Sequence, residues 1–195
     1  MVCVCSVLVF PASFARAQQI DLAVSGSTLF STQYSGTSQL YLPPPERGGT
    51  YAGGSLEYLL KHRRVGFNAE LEVRKKDGVY NDYQKYRPVF YDVNAVFAPR
   101  FGKRIIGDFM GGIGGETIRF QNPSFNCGYA AGCPIHLSDN HILLHLGGGI
   151  RYYVWRSFFV RPEVHYYRIV HNAVDFYSDN EFRAGASIGY TFGPR

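Results

Sequence analysis

In the segment 160–166, Val160, Pro162, Val164 and Tyr166 share one parity, while Arg161, Glu163 and His165 share the other. The same alternation recurs along the chain. Ile20, Leu22 and Val24 oppose Asp21, Ala23 and Ser25; Leu56, Tyr58 and Leu60 oppose Ser55 and Glu57. Val65, Phe67, Ala69, Leu71 and Val73 oppose Asn68, Glu70, Glu72 and Arg74, the cleanest run of all. Val89, Tyr91, Val93, Ala95 and Phe97 oppose Asp92 and Asn94; Ile105, Phe109 and Ile113 oppose Asp108 and Glu116. Ile142, Leu144, Leu146, Ile150 and Tyr152 oppose His141, His145 and Arg151; Phe182, Ala184, Ala186, Ile188, Tyr190 and Phe192 oppose Arg183, Gly185, Ser187 and Gly189. Successive side chains of a strand point to opposite faces, so a period of two predicts strands, and helical spacing fits none of these runs as well. The pattern predicts about eight strands of roughly ten residues, at 20–30, 52–60, 65–74, 89–98, 105–119, 141–153, 158–169 and 181–192. Pro162 forfeits a ladder hydrogen bond, so a local bulge is expected there.

The connections alternate in length as well. Long ones span 31–51, 75–88, 120–140 and 170–180, and short ones are "KHRR" at 61–64, "PRFGKR" at 99–104 and "WRS" at 155–157. In an up-and-down meander, alternate connections share one end, so the long loops gather at one end and the tight turns at the other. Outer-membrane barrels have this asymmetry, and a strand of about ten residues is what a tilted membrane crossing needs. A soluble lipocalin-like barrel gives no reason for it and would turn its apolar face inward.

The polar parity then lines a lumen. It holds Asp21, Glu57, Glu70, Glu72, Asp92, Asp108, Glu116 and Glu163, opposed by Arg74, Arg151, Arg161 and Arg183, with His141, His145 and His165 beside them. Buried unpaired charges cost several kcal/mol each, so cross-strand pairing is expected, with Arg151, Arg161 and Arg183 meeting acids such as Glu70, Glu116 and Glu163. Gly112, Gly114, Gly147, Gly149, Gly185 and Gly189, on the same parity, leave room for long arginines. A barrel of about eight strands is filled by such side chains and leaves no aqueous channel. Outside, Phe97, Phe101, Tyr152, Trp155, Phe158, Tyr190 and Phe192 group near the tight-turn end, where aromatic rings favour the headgroup level.

Composition narrows the reading. The chain has 195 residues with 15 Tyr, 15 Phe and 22 Gly, and only 18% are charged. Beyond the N-terminus no apolar run is long enough for a membrane-spanning helix. The net charge of +5 comes with no basic run of the kind that holds nucleic acid. "MVCVCSVLVFPASFARA" has the apolar stretch and Ala15-Arg16-Ala17 site of a secretory signal, although no Lys or Arg precedes the stretch. A signal at 1–17 and a barrel domain at 18–195 follow. The mature chain then keeps Cys127 and Cys133, which in an exported protein read as one disulfide closing a small loop.

The chain resembles the small outer-membrane β-barrel family, the group that includes the membrane domain of outer membrane protein A. The carriers are the signal segment, the alternating strands, the loop alternation and the ending "ASIGYTF". The resemblance implies an all-β, eight-stranded antiparallel up-and-down transmembrane barrel. Members of the family end on Phe; here Phe192 is followed by Gly193-Pro194-Arg195. The family shares no single activity.

Some barrels of this size modify lipid A. In "IVHNAVDF", His171-Asn172-Ala173 resembles a deacylase site superficially, but the Ser nucleophile is missing and Arg183 stands where an acid is required. No enzyme, no cofactor and no metal is therefore expected. His141, His145 and His165 are read as polar lumen residues, since a metal would need all three to converge. Lys61, Arg63, Arg64, Arg100, Lys103, Arg104 and Arg156 put a basic ring on the tight turns, suited to anionic phospholipid headgroups. "YLPPPERGG" at 41–49 and the Tyr-rich stretch at 80–86 lie in the long loops, where an extracellular partner could bind. Lipopolysaccharide and phospholipid are the expected lipid partners, in the cell outer membrane, through a structural or surface-interaction role.

Overall fold

The computed structural model describes residues 19–31, 46, 48–60, 64–80, 84–121, 136–170, 176 and 178–193. The signal segment, Cys127, Cys133, His171, Lys61, Arg63 and most of 41–49 lie outside these residues.

The strands are β1 (Gln19–Ser31), β2 (Thr50–Leu59), β3 (Val65–Arg74), β4 (Gly78–Tyr80), β5 (Gln84–Phe97), β6 (Ile105–Gln121), β7 (His136–Trp155), β8 (Phe158–Ile169) and β9 (Asn180–Phe192). Each of the eight long strands pairs antiparallel with its sequence neighbour in the wall, and β1 pairs with β9 to close the ring. The short β4 pairs only with the start of β5, Gly78 opposite Tyr86, and prolongs the hairpin above β3. The wall is thus the eight-stranded meander expected, with all edges but that of β4 paired.

Strands are longer at the loop end than the alternation suggests. β7 has 20 residues and β6 has 17, against the about 9–11 that a bilayer crossing uses. Both run into stretches read from sequence as loop, so the wall projects past the apolar band on that side. The tight turns are local devices. Arg156 takes φ 45 between Trp155 and Phe158, the positive φ that a two-residue hairpin loop demands at its first position.

No bulge forms at Pro162. The pairs Gly149↔Glu163 and Tyr152↔Val160 flank it in one unbroken register, and the shift lies instead between Tyr153 and Trp155. Pro162 is exposed on the outer face and opposite Ala186. The ring meets no core there, and the local loss is confined to the ladder with β7.

The polarity is inverted relative to a soluble protein. Val24, Phe67, Val93, Ile113, Ile142, Leu146, Val164 and Ile188 are exposed on the outside, while Arg151, Arg161 and Arg183 are among the largest fully buried side chains. In water that apolar exterior would cost roughly 25 cal/mol per Å², a penalty that lipid removes. Among the described residues no helix is long and apolar enough to cross a membrane. Rings form a belt at the tight-turn end, with Trp155 and Phe158 at 5.9 Å, Phe158 and Tyr190 at 4.9 Å, and Tyr190 and Phe192 at 4.7 Å.

Candidate functional site

The lumen carries the chemistry. At the tight-turn end it is stopped by an inward apolar layer of Leu59, Val96, Ala98, Ile106, Met110, Tyr153 and Phe159. Towards the loops a second layer holds Leu29, Tyr51, Phe90, Leu143, Tyr167 and Ile169, and Tyr86, Ile118, Phe120 and Phe176 cap it. Charged residues fill the space between and around these layers. The two-face reading of the strands misses this: near the ends of the lumen the inward face is apolar too.

Arg151 is the centre of the lower charged cluster. It donates to Asp21, to Glu57 Oε1 at 2.7 Å and to both Asp108 oxygens at 2.9 Å, and its guanidinium lies 4.8 Å from the centre of the Phe159 ring. Arg161, one layer up, donates from Nε to Glu163 Oε2 at 2.7 Å and from Nη1 to Glu57 Oε2 at 3.4 Å; its Nη1 is also 3.7 Å from Asp108. Arg183 donates to Glu70 Oε2 at 3.3 Å and lies 3.9 Å from Glu72 Oε1. Glu72 also accepts from Ser25 and Ser27.

All of the acids and arginines assigned from sequence to the lumen are buried. Their partners differ from expectation in two respects. The short Arg161–Glu163 bridge joins positions i and i+2 of one strand, because both point inward, rather than crossing strands. Glu116 is gathered with Glu46 and Glu181, one carboxylate oxygen of each lying within 4.8 Å of the others.

That acidic trio stands at the loop end. Glu46 reaches it from the first long loop and accepts from Tyr51 Oη at 3.4 Å. Burial pushes the Glu46 carboxyl above the ordinary 4.5, while its hydrogen bond with Glu116 and the charge of Arg74 pull it back. Arg74 donates to Tyr86 Oη at 2.8 Å. Glu181 carries a signal in the sequence, the parity it shares with Arg183; Glu46 carries none, because a loop residue has no period.

The histidines divide. His141 is half-buried near the trio, where its charge bears on Glu46. His145 and His165 come together in mid-lumen, with Nε2 of the first 2.8 Å from Nδ1 of the second and the rings stacked at 5.0 Å. Glu70 joins them. His145 Nδ1 faces Asn94 Oδ1 at 2.8 Å and Asp92 Oδ1 at 3.2 Å; His165 Nε2 lies 3.8 Å from Glu163 Oε1. Asn94 also donates to Asp92 and to Asn68.

The outer surface carries basic groups at both ends. Arg64, Arg100, Lys103, Arg104 and Arg156 are exposed at the tight turns, Arg156 lying 5.3 Å from the centre of the Trp155 ring. At the loop end, Lys85, Arg87 and Arg119 are exposed, and Arg87 pairs directly opposite Arg119.

No protein-family model matches the chain, and no curated protein matches it by sequence. Solved structures do match. The chain is similar to Ail, the attachment invasion locus protein of Yersinia pestis, solved in complex with the heparin analogue sucrose octasulfate; identity is 14%, the TM-score 0.57, and the match covers 91% of this chain and 99% of that one. It is similar to the N-terminal β-barrel domain of Pseudomonas aeruginosa OprF at 15% identity and a TM-score of 0.56, over 89% of this chain and 97% of that one. A major outer membrane protein from Thermus thermophilus matches at 10% identity and a TM-score of 0.59, over 89% of this chain and 99% of that one. The shared feature is the fold, the small outer-membrane barrel.

Proposed function

We propose that this chain is an integral outer-membrane barrel without catalytic activity, its lumen plugged, serving a structural or surface-interaction role through its loop end. One observation carries the reading: apolar side chains such as Val24, Ile113 and Val164 face outward while Arg151, Arg161 and Arg183 are sealed inside. Only a lipid exterior makes that inversion stable. The plug rests on the apolar layers at both ends of the lumen, which leave ion-paired side chains rather than a water column between them. The long loops face outward and the tight turns the periplasm, as barrels of this kind are oriented.

The lipid partners follow from the charge at each rim. Arg87 directly opposite Arg119 is a like-charge pair, unfavourable unless an anion neutralises it. Arg87 Nη2 lies 2.7 Å from Asp77 Oδ1, and lipopolysaccharide phosphates are suited to the remaining charge. The basic turns suit anionic phospholipid of the inner leaflet, each charge contributing about 1 kcal/mol near the surface. For the loops, the complex of Ail with a heparin analogue supports an extracellular ligand as a role open to this fold.

The test is fractionation followed by protease treatment of intact cells. The protein is expected in the outer membrane, with cuts confined to the long connections. Cleavage of whole cells at 99–104 or 155–157 would reverse the orientation, and recovery in a soluble fraction would sink the reading. Purified protein in planar bilayers should show no large, steady conductance. A change in lipid A mass that depends on the protein would establish an enzyme instead.

A further inference from the structure

We propose that Glu70, His145 and His165 form a buried site for one divalent transition-metal ion in mid-lumen, with zinc the ion of best fit. The three residues come from β3, β7 and β8, are all buried, and each brings a ligand atom within 4.8 Å of the other two. Two imidazoles and one carboxylate, with a fourth position for water, is a recurring zinc donor set.

Proton placement identifies the pair that a cation would bridge. His145 Nδ1 faces two acceptors, Asn94 Oδ1 and Asp92 Oδ1, so that nitrogen carries the hydrogen. His145 Nε2 then turns its lone pair towards His165 Nδ1 and accepts its hydrogen across 2.8 Å. His165 Nε2 makes no hydrogen bond, the nearest carboxylate oxygen being Glu163 Oε1 at 3.8 Å. A cation bound by both facing nitrogens takes the place of the proton that they share, and that proton moves to the unpartnered Nε2. The bond of His145 Nδ1 to an amide oxygen is of the kind that orients metal-binding histidines in general. Two zinc–nitrogen bonds of about 2.0–2.1 Å need the nitrogens roughly half an ångström further apart than they stand.

The two ring nitrogens lie directly over Gly147. A Cβ at Gly147 would lie 2.9 Å from His145 Nε2 and 3.0 Å from His165 Nδ1, so any larger residue would crowd both donor atoms. Charge favours the ion as well. Among the described residues ten buried carboxylates face four buried arginines and two buried histidines. Glu70 neutralises one charge of a divalent ion, and the remaining charge is set against Asp92 and Glu163. Arg183 donates at 3.3 Å to Glu70 Oε2, the oxygen that also lies 3.7 Å from His165 Nδ1, and so holds the carboxylate at the rings. Reading from sequence dismisses a metal because it requires His141; the third ligand is a carboxylate from a different strand.

Because both ends of the lumen are packed, the ion is taken up as the barrel folds. The experiment refolds chain 18–195, without a polyhistidine tag, from denaturant into detergent with Co(II) or Zn(II), then desalts it. The wild type should retain one metal per chain, and the cobalt form should show the intense visible bands of a low-coordinate site, lost on exchange for zinc. Gly147→Ala and His145→Asn should retain less than about a tenth of that metal, Asp92→Asn should weaken binding by about tenfold, and His141→Asn should bind as the wild type does. Heat-shifted gel migration verifies that each variant has folded. Wild type that retains no metal, or a folded Gly147→Ala and His145→Asn pair that retain as much as wild type, would overturn the proposal. If neither variant folds, the cobalt spectrum of the wild type decides: a six-coordinate, all-oxygen spectrum rejects the site.

Discussion

Replacing Arg151 with Met tests the lumen where it is most tightly paired. Met keeps much of the apolar stem and removes the cation. Three carboxylates lose a donor, but not equally. Arg161 still lies 3.4 Å from Glu57 and 3.7 Å from Asp108. Asp21 keeps a neutral donor, the Gln19 amide at 2.8 Å. The loss should therefore equal that of one broken buried pair, about 3–5 kcal/mol, rather than three. Removing the cation from the Phe159 ring adds about 1 kcal/mol, for a total of about 4–6 kcal/mol. At 1.4 kcal/mol per factor of ten, the folding equilibrium should fall by about three to four orders of magnitude. The single tryptophan, Trp155, reports folding into lipid vesicles by fluorescence across a urea titration. Asp21→Asn on the same background should recover part of the loss, since the orphaned charge is then gone. A loss under about 1 kcal/mol with an unchanged denaturant slope would show that Arg151 is solvated and that the lumen is wet.

Val164→Arg should cost about 2–4 kcal/mol by placing charge in lipid, whereas Glu163→Arg should fail by crowding Arg161 with a second cation; equal tolerance of both would mean that the two faces are reversed. Alkylation of unreduced mature protein should label neither Cys127 nor Cys133, and reducing their bridge should cost at most about 2 kcal/mol while leaving the barrel folded. Burial raises the Glu46 carboxyl, so the native state holds its proton to higher pH than the unfolded chain does. Docking of the first long loop should then be firmest at low pH and weaken as pH rises above the ordinary 4.5, through a cluster that also contains Glu116, Glu181, Arg74, His141 and Tyr51. Amide exchange near Glu46 should show that trend, and Glu46→Gln should flatten it; exchange in wild type that is independent of pH, after correction for the intrinsic rate, would refute it.

The wall was legible from residue order alone. A strand's period of two is local, and lipid and lumen demand opposite polarity, so Val164 outside and Arg161 inside could be read from neighbouring residues. The order of long and short connections likewise carried the meander and its two unlike ends. Everything that depends on how far a side chain reaches, and at what height along the barrel, required the folded ring. Glu163 turned to Arg161 on its own strand, and Glu116 rose to a trio completed by a loop residue, Glu46. His141 and His145 share a parity four residues apart, yet His145 is the one that lies level with His165 and Glu70, because register across β7 and β8 sets the height. The apolar layers that close the lumen escaped the two-face reading because inward positions near its ends obey packing rather than charge. Parity says which side of the wall a residue faces; strand stagger and ring closure, which no local pattern encodes, say which residues it meets there.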